Sequence, residues 1–383
     1  MVSTPPVRDR PSTPVAAPPR SAASARSVRS VLFAVAALEL AAAGCKRHPP
    51  VTRPASVAVV PPAPAAPIPA AAPVDRPRRI KRVVIISEDG LRPDALMNVL
   101  PPVHAEIMKH AAFSLQARTI RRASTLPSHA AMLSGFDVKQ HGLYWNSWKP
   151  ERGYIQVPTI FDAAEQSGMG AAAFVGKKKL EHIAHPGSVD VFSRSGYFCK
   201  KVVEEASQYL VDKRPQIEFI HFSDPDDLGH SDGWMSNAQL EAVRHTDRCL
   251  RTLLDATAAA GLDRDTLFII SADHGGHGHN HSGKIKEDRL IPWIAWGPGV
   301  RAGHRIVSPI STVDTAATTL WALGYPPTPG AIGRPVLEAF DPETIAASGP
   351  SRTGTLKGFL KPPAKSSDEQ SSSSLTRSPP TSF

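Results

Sequence analysis

Acidic and imidazole side chains follow directly after three short apolar segments of this sequence. These junctions are RVVIIS before Glu88 and Asp89, IEFIHF before SDPDDLGH, and TLFIIS before ADHGGHGHNH, in residues 82–89, 217–230 and 266–281. Aspartate and histidine together suit zinc or a similar divalent cation, whereas a structural zinc finger would need thiolates. One such junction could be an ordinary turn after a strand, but three of them predict a convergent metal site.

A hydroxyl side chain that could act as a nucleophile lies in STLPSHAAMLSG, residues 124–135. Pro127 suits the first position of a helix, residues 128–133 suit one short helix, and Gly135 suits its end. Thr125 would then lie just before a helix amino terminus, where exposed N–H groups and the helix dipole favour a phosphate or an alkoxide. A simple N-cap is the alternative role for Thr125.

Strands and helices alternate along the chain and must position these side chains. Runs of strand length and β-branched content occupy residues 82–87, 171–176, 217–222, 266–271 and 292–297. Segments with helical spacing lie between or after them, at residues 197–213, 237–261 and 311–324. This alternation predicts an α/β layered domain with a mostly parallel sheet. Ligands bind at the carboxyl ends of the strands in such sheets, where the acidic and imidazole residues lie.

The formal net charge of +9 lies in the tails of the 383-residue chain, with nine Lys or Arg against three acidic residues in 1–76 and five against two in 346–383. Because a nucleic-acid-binding domain carries its excess charge on the folded surface, we expect no nucleic-acid binding. Three cysteines, Cys45, Cys199 and Cys249, are too few for a disulfide scaffold. The latter two lie on predicted helices and either pair after export or remain buried thiols.

Residues 1–45 are predicted to be a signal segment. Arg26 and Arg29 precede a short apolar run, VLFAVAALELAAA, which is too short to span a bilayer comfortably. The run ends in AAAGC, which resembles a bacterial lipobox and would make Cys45 the lipidated first residue of the mature protein. We therefore expect an exported protein of the cell envelope or periplasm, anchored to a membrane through Cys45. A hydrophobic segment with a chance cysteine is the alternative.

The rest of the chain is predicted to have three parts. Residues 46–77 form a Pro/Ala-rich linker, whose composition stays extended. Residues 78–345 form the catalytic domain, and residues 346–383 form a disordered Ser/Pro-rich tail.

Several motifs, in order along the chain, resemble those of the nucleotide pyrophosphatase/phosphodiesterase family, a branch of the alkaline phosphatase superfamily. They are SEDGLRPD (87–94), TLPSH (125–129), HGLYWN (141–146), PDDLGH (225–230), and ADHGG with IPWIAWGPGV (272–300). The resemblance covers about residues 80–340. It implies an alkaline-phosphatase-like layered α/β domain with a mostly parallel central sheet and helices on both faces. It also implies a phosphodiesterase or nucleotide pyrophosphatase that acts on a small-molecule phosphoester.

The resemblance assigns two metal ions, with zinc expected, to particular side chains. Asp89, Asp273 and His274 would hold one ion with the Thr125 oxygen, and Asp226, His230 and His281 would hold the other. Thr125 would be the nucleophile that forms a phospho-threonine intermediate, and Asn146 would donate a hydrogen bond to a non-bridging phosphate oxygen. Physical chemistry agrees, because a threonine hydroxyl is a weak nucleophile unless a metal holds it as an alkoxide.

Other activities stay open at this stage. Phosphomonoesterases, phosphonate hydrolases and transferases of envelope phospho-substituents would use the same residues. A non-catalytic surface binding module is the alternative of another class, and it would be expected to have lost a ligand or the nucleophile. Sulfatases mature a Cys or Ser at the position of Thr125, which disfavours sulfatase activity.

Four further features have open or unremarkable roles in the sequence. Glu88 stands where the family has an apolar residue, and it either contacts a metal ligand or points to a helix end. His277 and His279 are expected to be solvated or to contact the ligands rather than to bind metal. The cluster Lys177–Lys179 is predicted to be a solvated face.

Overall fold

Residues 80–348 are described by the structure, a computed structural model. The predicted signal segment, Cys45 and the linker up to residue 77 lie outside the described residues, as does the tail from residue 349 on. The last helix continues to Ser348, past residue 345, where the sequence places the end of the domain. Within the described part, no helix combines the length and apolar character needed to cross a membrane.

One eight-stranded sheet forms the centre of the described domain. Its strands are β1 Arg82–Glu88, β2 Ala112–Arg118, β3 Ala171–Val175, β4 Val191–Ser193, β5 Ile217–Phe222, β6 Thr266–Ser271, β7 Leu290–Trp296 and β8 His304–Arg305. Their order across the sheet is β4-β3-β5-β1-β6-β7-β2-β8. β7 is antiparallel to both neighbours, and the other neighbouring pairs are parallel. The predicted α/β domain with a mostly parallel sheet is confirmed.

Helices pack on both faces of this sheet. Those within residues 80–348 are α1 Pro93–Val99, α2 Pro102–His110, α3 Thr125–Ser134, α4 Val138–His141, α5 Ile160–Gln166, α6 Cys199–Lys213, α7 Asp224–Asp232, α8 Asn237–Ala259, α9 Lys286–Arg289, α10 Asp314–Leu323 and α11 Pro342–Ser348. Successive residues of a strand point to opposite faces of the sheet. The last two residues of β1 therefore contact helices on different faces. Ser87 Oγ lies 2.8 Å from His129 Nε2 of α3, whereas Glu88 Oε1 lies 2.9 Å from His104 Nε2 of α2. Because both faces are covered, β1 is buried throughout, and residues 83–86 form a continuous apolar run.

The long helices α6 and α8 pack against each other on one face. Their buried residues recur at helical spacing, for example Val202, Ala206 and Leu210 in α6, which is the pattern that predicted these helices. A disulfide between Cys199 and Cys249 joins the two helices, with the Cα atoms 6.1 Å apart. The sequence left this pairing open, because only the packing of α6 on α8 brings the two sulfur atoms together.

Helix α3 begins earlier than the sequence pattern predicts. It starts at Thr125, which the sequence pattern places just before the helix, and Pro127 is its third residue rather than its first. Proline is tolerated there because the N–H groups of the first helical turn have no partner within the helix. The predicted end is correct, since Gly135 follows the helix with a left-handed φ of 80°.

Strands β2, β4 and β8 have no counterpart in the sequence prediction. β4 and β8 contain three and two residues, too few for a recognisable alternation. β2 reads AFSLQAR, which mixes apolar and polar residues because the strand is only partly buried. These strands lie near the two edges of the sheet, on either side of the strands that carry the candidate site.

Candidate active site

Four neighbouring parallel strands, β3, β5, β1 and β6, have their carboxyl ends side by side along the same border of the sheet. Asp89 follows β1, and Asp273 and His274 follow β6. β5 leads into α7, where Asp226 and His230 lie one helical turn apart and so face the same direction. The convergence that the sequence predicts is therefore produced by the sheet order.

Gly90 allows the chain after β1 to pass close to α7. Its φ is 73°, and a Cβ atom at this position would lie 3.0 Å from Cα and Cβ of Asp226. Both the backbone conformation and the close approach require glycine here. Gly90 therefore brings the turn that carries Asp89 next to Asp226.

His274 Nε2 is the centre of the first group of candidate ligands. It lies 3.4 Å from Asp89 Oδ1, 3.2 Å from Asp273 Oδ2 and 3.5 Å from Thr125 Oγ1. Atoms that bind one tetrahedral zinc ion, each about 2.0–2.2 Å from it, lie about 3.3 Å from one another. These four side chains therefore have the spacing of one ion's ligands.

Asp226 Oδ1 is the centre of the second group. It lies 3.4 Å from His230 Nε2 and 3.8 Å from His281 Nε2. The two groups adjoin, since His274 Nε2 is also 3.8 Å from Asp226 Oδ1 and the His274 and His281 rings stack with their centroids 3.8 Å apart. All seven metal-binding positions predicted from the sequence thus lie in one pocket.

The three candidate histidine ligands are held in the same way. Nδ1 of His274 lies 2.7 Å from Gly275 O. Nδ1 of His281 lies 2.8 Å from Ala123 O, and Nδ1 of His230 lies 2.8 Å from His279 O. A carbonyl oxygen can only accept, so each Nδ1 carries the proton and donates it. Each Nε2 is then left with a lone pair directed into the pocket, which is the usual arrangement of a metal-binding histidine.

The pocket fits a cation because lone pairs face one another in it. Asp89 Oδ1, Asp226 Oδ1 and Asp273 Oδ2 are buried and have no hydrogen-bond partner. Burial, together with repulsion from the other two aspartates, raises the pKa of Asp273 well above its usual range. Burial and the adjacent His281 lower the pKa of His274 to about 3, so its ring is neutral. A divalent cation would satisfy these atoms and relieve the repulsion between the carboxylates.

Lys177 and His221 contact the outer oxygen of Asp89, and the sequence prediction missed both. Lys177 Nζ lies 2.7 Å from Asp89 Oδ2 and also contacts Asp226 Oδ2, while His221 Nε2 lies 2.9 Å from Asp89 Oδ2. Burial alone would raise the pKa of Asp89, but Lys177 and His221 hold it well below its usual range. The prediction of a solvated lysine cluster is wrong for Lys177, which is only 7% exposed. Its burial depends on carboxylates far away in the sequence.

Asn146 lies next to the candidate nucleophile. Its Oδ1 accepts a hydrogen bond from the backbone N–H of Leu126 at 2.9 Å, and Lys179 Nζ donates to the same oxygen at 3.2 Å. The carbonyl oxygen of the amide is thus occupied, and Nδ2 is the group left to bind a substrate oxygen. His129 Nδ1 donates to Thr125 O at 2.8 Å and fixes the first turn of α3 from the other side.

The loop that carries His281 is attached directly to the nucleophile segment. Ser282 Oγ lies 3.0 Å from Ala123 O and 2.5 Å from Ser124 Oγ, one residue before Thr125. Ser282 has a φ of 76°, which is strained for a serine. Ser282 and His281 both use Ala123 O, so the loop and the first turn of α3 are held together.

His277 and His279 support this loop rather than joining either group of candidate ligands. His277 Nδ1 lies 2.6 Å from the buried Asp288 Oδ1, and His279 Nδ1 lies 3.0 Å from His230 O.

Glu88 points away from the candidate metal pocket. Its Oε1 lies 2.9 Å from His104 Nε2 and its Oε2 accepts from Thr246 Oγ1 at 2.5 Å, on the opposite face of the sheet from α3. His104 Nδ1 lies 2.7 Å from Asp247 Oδ1. The alternation of side chains along β1 separates Glu88 from Asp89, and Glu88 therefore contacts helices rather than metal ligands.

Solved structures of a phosphodiesterase and of a sulfatase have a similar fold. Murine ectonucleotide pyrophosphatase/phosphodiesterase 5, as an inactive variant in complex with AMP, matches with a TM-score of 0.58 at 15% identity, over 68% of this chain and 100% of that one. A 2-O glycosaminoglycan sulfatase matches with a TM-score of 0.55 at 16% identity, over 67% of this chain and 73% of that one. These likenesses show that the described domain has an alkaline-phosphatase-like fold.

The chain belongs to the type I phosphodiesterase / nucleotide pyrophosphatase family, whose profile matches residues 83–306. Human ectonucleotide pyrophosphatase/phosphodiesterase family member 5 is 25% identical over 55% of this chain and 47% of its own length. GPI ethanolamine phosphate transferase 1 of Gibberella zeae is 22% identical over 64% of this chain and 28% of its own length. The chain thus spans about half the length, or less, of the curated relatives it matches.

Proposed function

We propose that the chain is an exported, metal-dependent phosphoric ester hydrolase of the phosphodiesterase/nucleotide pyrophosphatase type that works through a phospho-threonine intermediate. Thr125 is the proposed nucleophile and Asn146 the proposed donor to the phosphoryl group. The proposed ligands of two divalent ions, with zinc expected, are Asp89, Asp226, His230, Asp273, His274 and His281, together with the Thr125 oxygen. One observation carries the proposal: three buried carboxylate oxygens without partners converge on His274 Nε2, beside the Thr125 hydroxyl.

In the proposed reaction, Thr125 Oγ1 forms a bond to phosphorus while the ester oxygen leaves from the opposite side. Asn146 Nδ2 donates a hydrogen bond to a non-bridging oxygen, and the positive end of the α3 dipole favours the negative charge. Water then attacks phosphorus opposite the threonine oxygen, which restores the hydroxyl group and retains the configuration at phosphorus. Two bound divalent cations would lower the pKa of the Thr125 hydroxyl and neutralise charge on the phosphoryl group.

Replacement of the nucleophile tests this proposal. In zinc-loaded protein, Thr125→Ala should lower kcat for bis(4-nitrophenyl) phosphate by about 1,000-fold or more, because the covalent route is lost. Metal content and thermal stability should stay close to those of the wild type. Thr252→Ala, at an exposed threonine of α8, serves as the matched control and should retain activity. Near-normal turnover by Thr125→Ala would refute the nucleophile assignment.

Transfer to an alcohol is a second candidate, because the match to GPI ethanolamine phosphate transferase 1 covers 64% of the chain. The first displacement would be the same, and an acceptor hydroxyl would replace water in the second. Product analysis in the same assay with added glycerol separates the two. Release of the free phosphate monoester indicates a hydrolase, whereas a glycerol ester as the main product indicates a transferase.

Export is supported by the disulfide between Cys199 and Cys249, since disulfides persist in oxidising compartments such as the periplasm. The proposed lipid anchor at Cys45 and the cell-envelope location rest on the amino-terminal sequence. A small-molecule phosphoester as substrate is supported by the AMP complex of the murine relative.

A further inference from the structure

The three consecutive lysines that follow β3 have different surroundings. Lys177 is buried and contacts both Asp89 Oδ2 and Asp226 Oδ2. Lys178 is exposed, with Nζ 4.8 Å above the ring centroid of Trp148. Lys179 is half-buried and turns back towards the pocket. The chain thus places two ammonium groups at the pocket, in addition to any bound cations.

Lys179 has charge available for a ligand. Its Nζ donates to Asn146 Oδ1, which is a neutral amide oxygen. Among residues 80–348, Lys177 forms ion pairs with two carboxylates, but Lys179 forms none. An ammonium group has three protons, so Lys179 keeps donors for a further acceptor. Burial is the larger cause that lowers the pKa of Lys179, and repulsion from Lys177 is the second. A bound anion would offset both effects.

Asn146 connects the Lys179 ammonium group to the place where Thr125 would attack a phosphoryl group. Its Oδ1 accepts from Leu126 N–H, the residue directly after Thr125, and from Lys179. A phosphoryl group attacked by Thr125 and bound by Asn146 Nδ2 therefore lies on the Lys179 side of the pocket. Hydrogen bonds from an ammonium to an anionic oxygen are about twice as strong as neutral ones.

We propose that Lys179 binds a non-bridging oxygen of the transferred phosphoryl group and extends the site from diesters to terminal phosphates, that is, phosphomonoesters. This inference rests on the proposed function, because it concerns the group that Thr125 would attack. A diester carries one negative charge near neutral pH, whereas a terminal phosphate carries about two. The additional charge is the one that an unpaired ammonium group stabilises.

The reaction with a monoester is balanced by the same two displacements. The Thr125 hydroxyl gives its proton to solvent and Oγ1 bonds to phosphorus, while the P–O ester bond breaks and the leaving oxygen takes a proton from solvent. Water then cleaves phospho-Thr125 to give inorganic phosphate and the threonine hydroxyl. A diester would first yield a monoester, which would itself be a substrate, so continued hydrolysis of a diester should release inorganic phosphate.

A comparison of two substrates tests the role of Lys179. In zinc-loaded protein, Lys179→Met should lower kcat/KM for 4-nitrophenyl phosphate by about 10- to 100-fold, the effect of one charged hydrogen bond. The value for bis(4-nitrophenyl) phosphate should fall by a smaller factor, because a diester carries less negative charge for Lys179 to stabilise and Leu126 N–H still holds Asn146. Lys179→Arg should recover most of the monoester activity, and the exposed neighbour Lys178→Met is the matched control.

Two kinetic results would overturn the inference. An equal fall for both substrates would make Lys179 a support for Asn146 and not a ligand of the terminal phosphate. Hydrolysis of the diester by the wild type without measurable monoester hydrolysis would also refute it.

Binding of inorganic phosphate separates this inference from the proposed function. Calorimetry on zinc-loaded Thr125→Ala should show phosphate binding that becomes about 10-fold weaker or more when Lys179→Met is added. Unchanged binding would overturn the inference whatever the turnover. If neither ester is hydrolysed by the wild type while this loss of phosphate binding is observed, the hydrolase proposal fails and the Lys179 phosphate site stands.

Discussion

The pocket owes its metal-binding character to the protonation of individual atoms. In three histidines, Nδ1 donates to a main-chain carbonyl oxygen and Nε2 keeps its lone pair; they are His230, His274 and His281. The sequence shows that histidines are present, but a tautomer is set by the hydrogen bond on the other nitrogen. The candidate ligands are therefore prepared for a cation by backbone atoms that no motif contains.

Glu218 is the least satisfied side chain of the described core. It is fully buried in β5, neither carboxylate oxygen has a hydrogen-bond partner, and burial raises its pKa well above the usual value. Because the folded pKa exceeds the unfolded value of about 4.3, the folded state holds an extra proton above that pH. Its contribution to stability therefore falls as the pH rises towards the folded pKa.

We expect Glu218→Met to raise the free energy of unfolding by about 1–3 kcal/mol, with a larger gain at pH 8 than at pH 5 because the burial-raised pKa makes the wild type lose stability as the pH rises. Urea titrations at the two pH values measure this difference. Glu204→Met, at an exposed glutamate of α6, is the control and should show little effect. An equal gain at both pH values would mean that Glu218 does not titrate in this range.

At the scale of elements, a buried polar network joins β1 to α2 and α8. His104 is fully buried, and its two ring nitrogens contact Glu88 and Asp247. Carboxylate oxygens accept hydrogen bonds, so both nitrogens carry protons and the ring is cationic. Although burial opposes the charge, Glu88 and Asp247 raise the pKa of His104 to about 9. Asp247 also accepts from the N–H groups of Val103 and His104 and so caps α2.

Loss of His104 should destabilise the protein in a pH-dependent way. His104→Ala leaves two buried carboxylates without their shared cation, which costs about 3–5 kcal/mol. Since the folded pKa of about 9 lies above the usual 6.5, the stabilisation is complete below pH 6.5 and is lost as the pH rises through 9. Unfolding titrations should therefore show a larger loss at pH 6 than at pH 9.5.

His110→Ala is the matched control, because His110 lies on the same helix and contacts only the exposed Glu106 among described carboxylates. A loss for His104→Ala that is the same at both pH values would show that the ring is neutral in the folded protein.

At the scale of the whole molecule, the candidate ligands come from separate parts of the chain. β1, α3, α7, the end of β6 and the loop around His281 each contribute at least one. A cation that binds only the folded state stabilises it by mass action, about 2.7 kcal/mol at 100 times Kd. The metal would thus crosslink elements that lie far apart in the sequence.

We expect chelation to lower the Tm by several degrees and zinc to restore it, as measured by thermal unfolding of the dialysed protein. Asp273→Asn should reduce the zinc-dependent shift in Tm, because it removes a carboxylate from the first group of ligands. Asp212→Asn, at an exposed position of α6, should keep the full shift. A Tm that is the same with and without zinc would refute the metal sites.

The five central strands, the long helices between them and the residue types at the strand ends could be predicted from the sequence alone. Fully buried strands such as β1 and β6 are continuous apolar runs, and the residues that follow them must lie at one edge of a parallel sheet. Asp89, Asp273 and His274 were therefore identified by local pattern. These features depend on residues adjacent in the chain, which is why no tertiary information was needed.

Tertiary structure alone decided the surroundings of long or buried side chains. Lys177 and Lys179 belong to a run that is typical of a solvated surface, yet they reach carboxylates and an amide that other elements supply. Glu88 and Asp89 are neighbours in sequence but serve opposite faces of the sheet, and Cys199 meets its partner only through the packing of α6 on α8. The physical reason is that a side chain's charge state and contacts are set by atoms close in space, and most of those atoms are far away in the sequence.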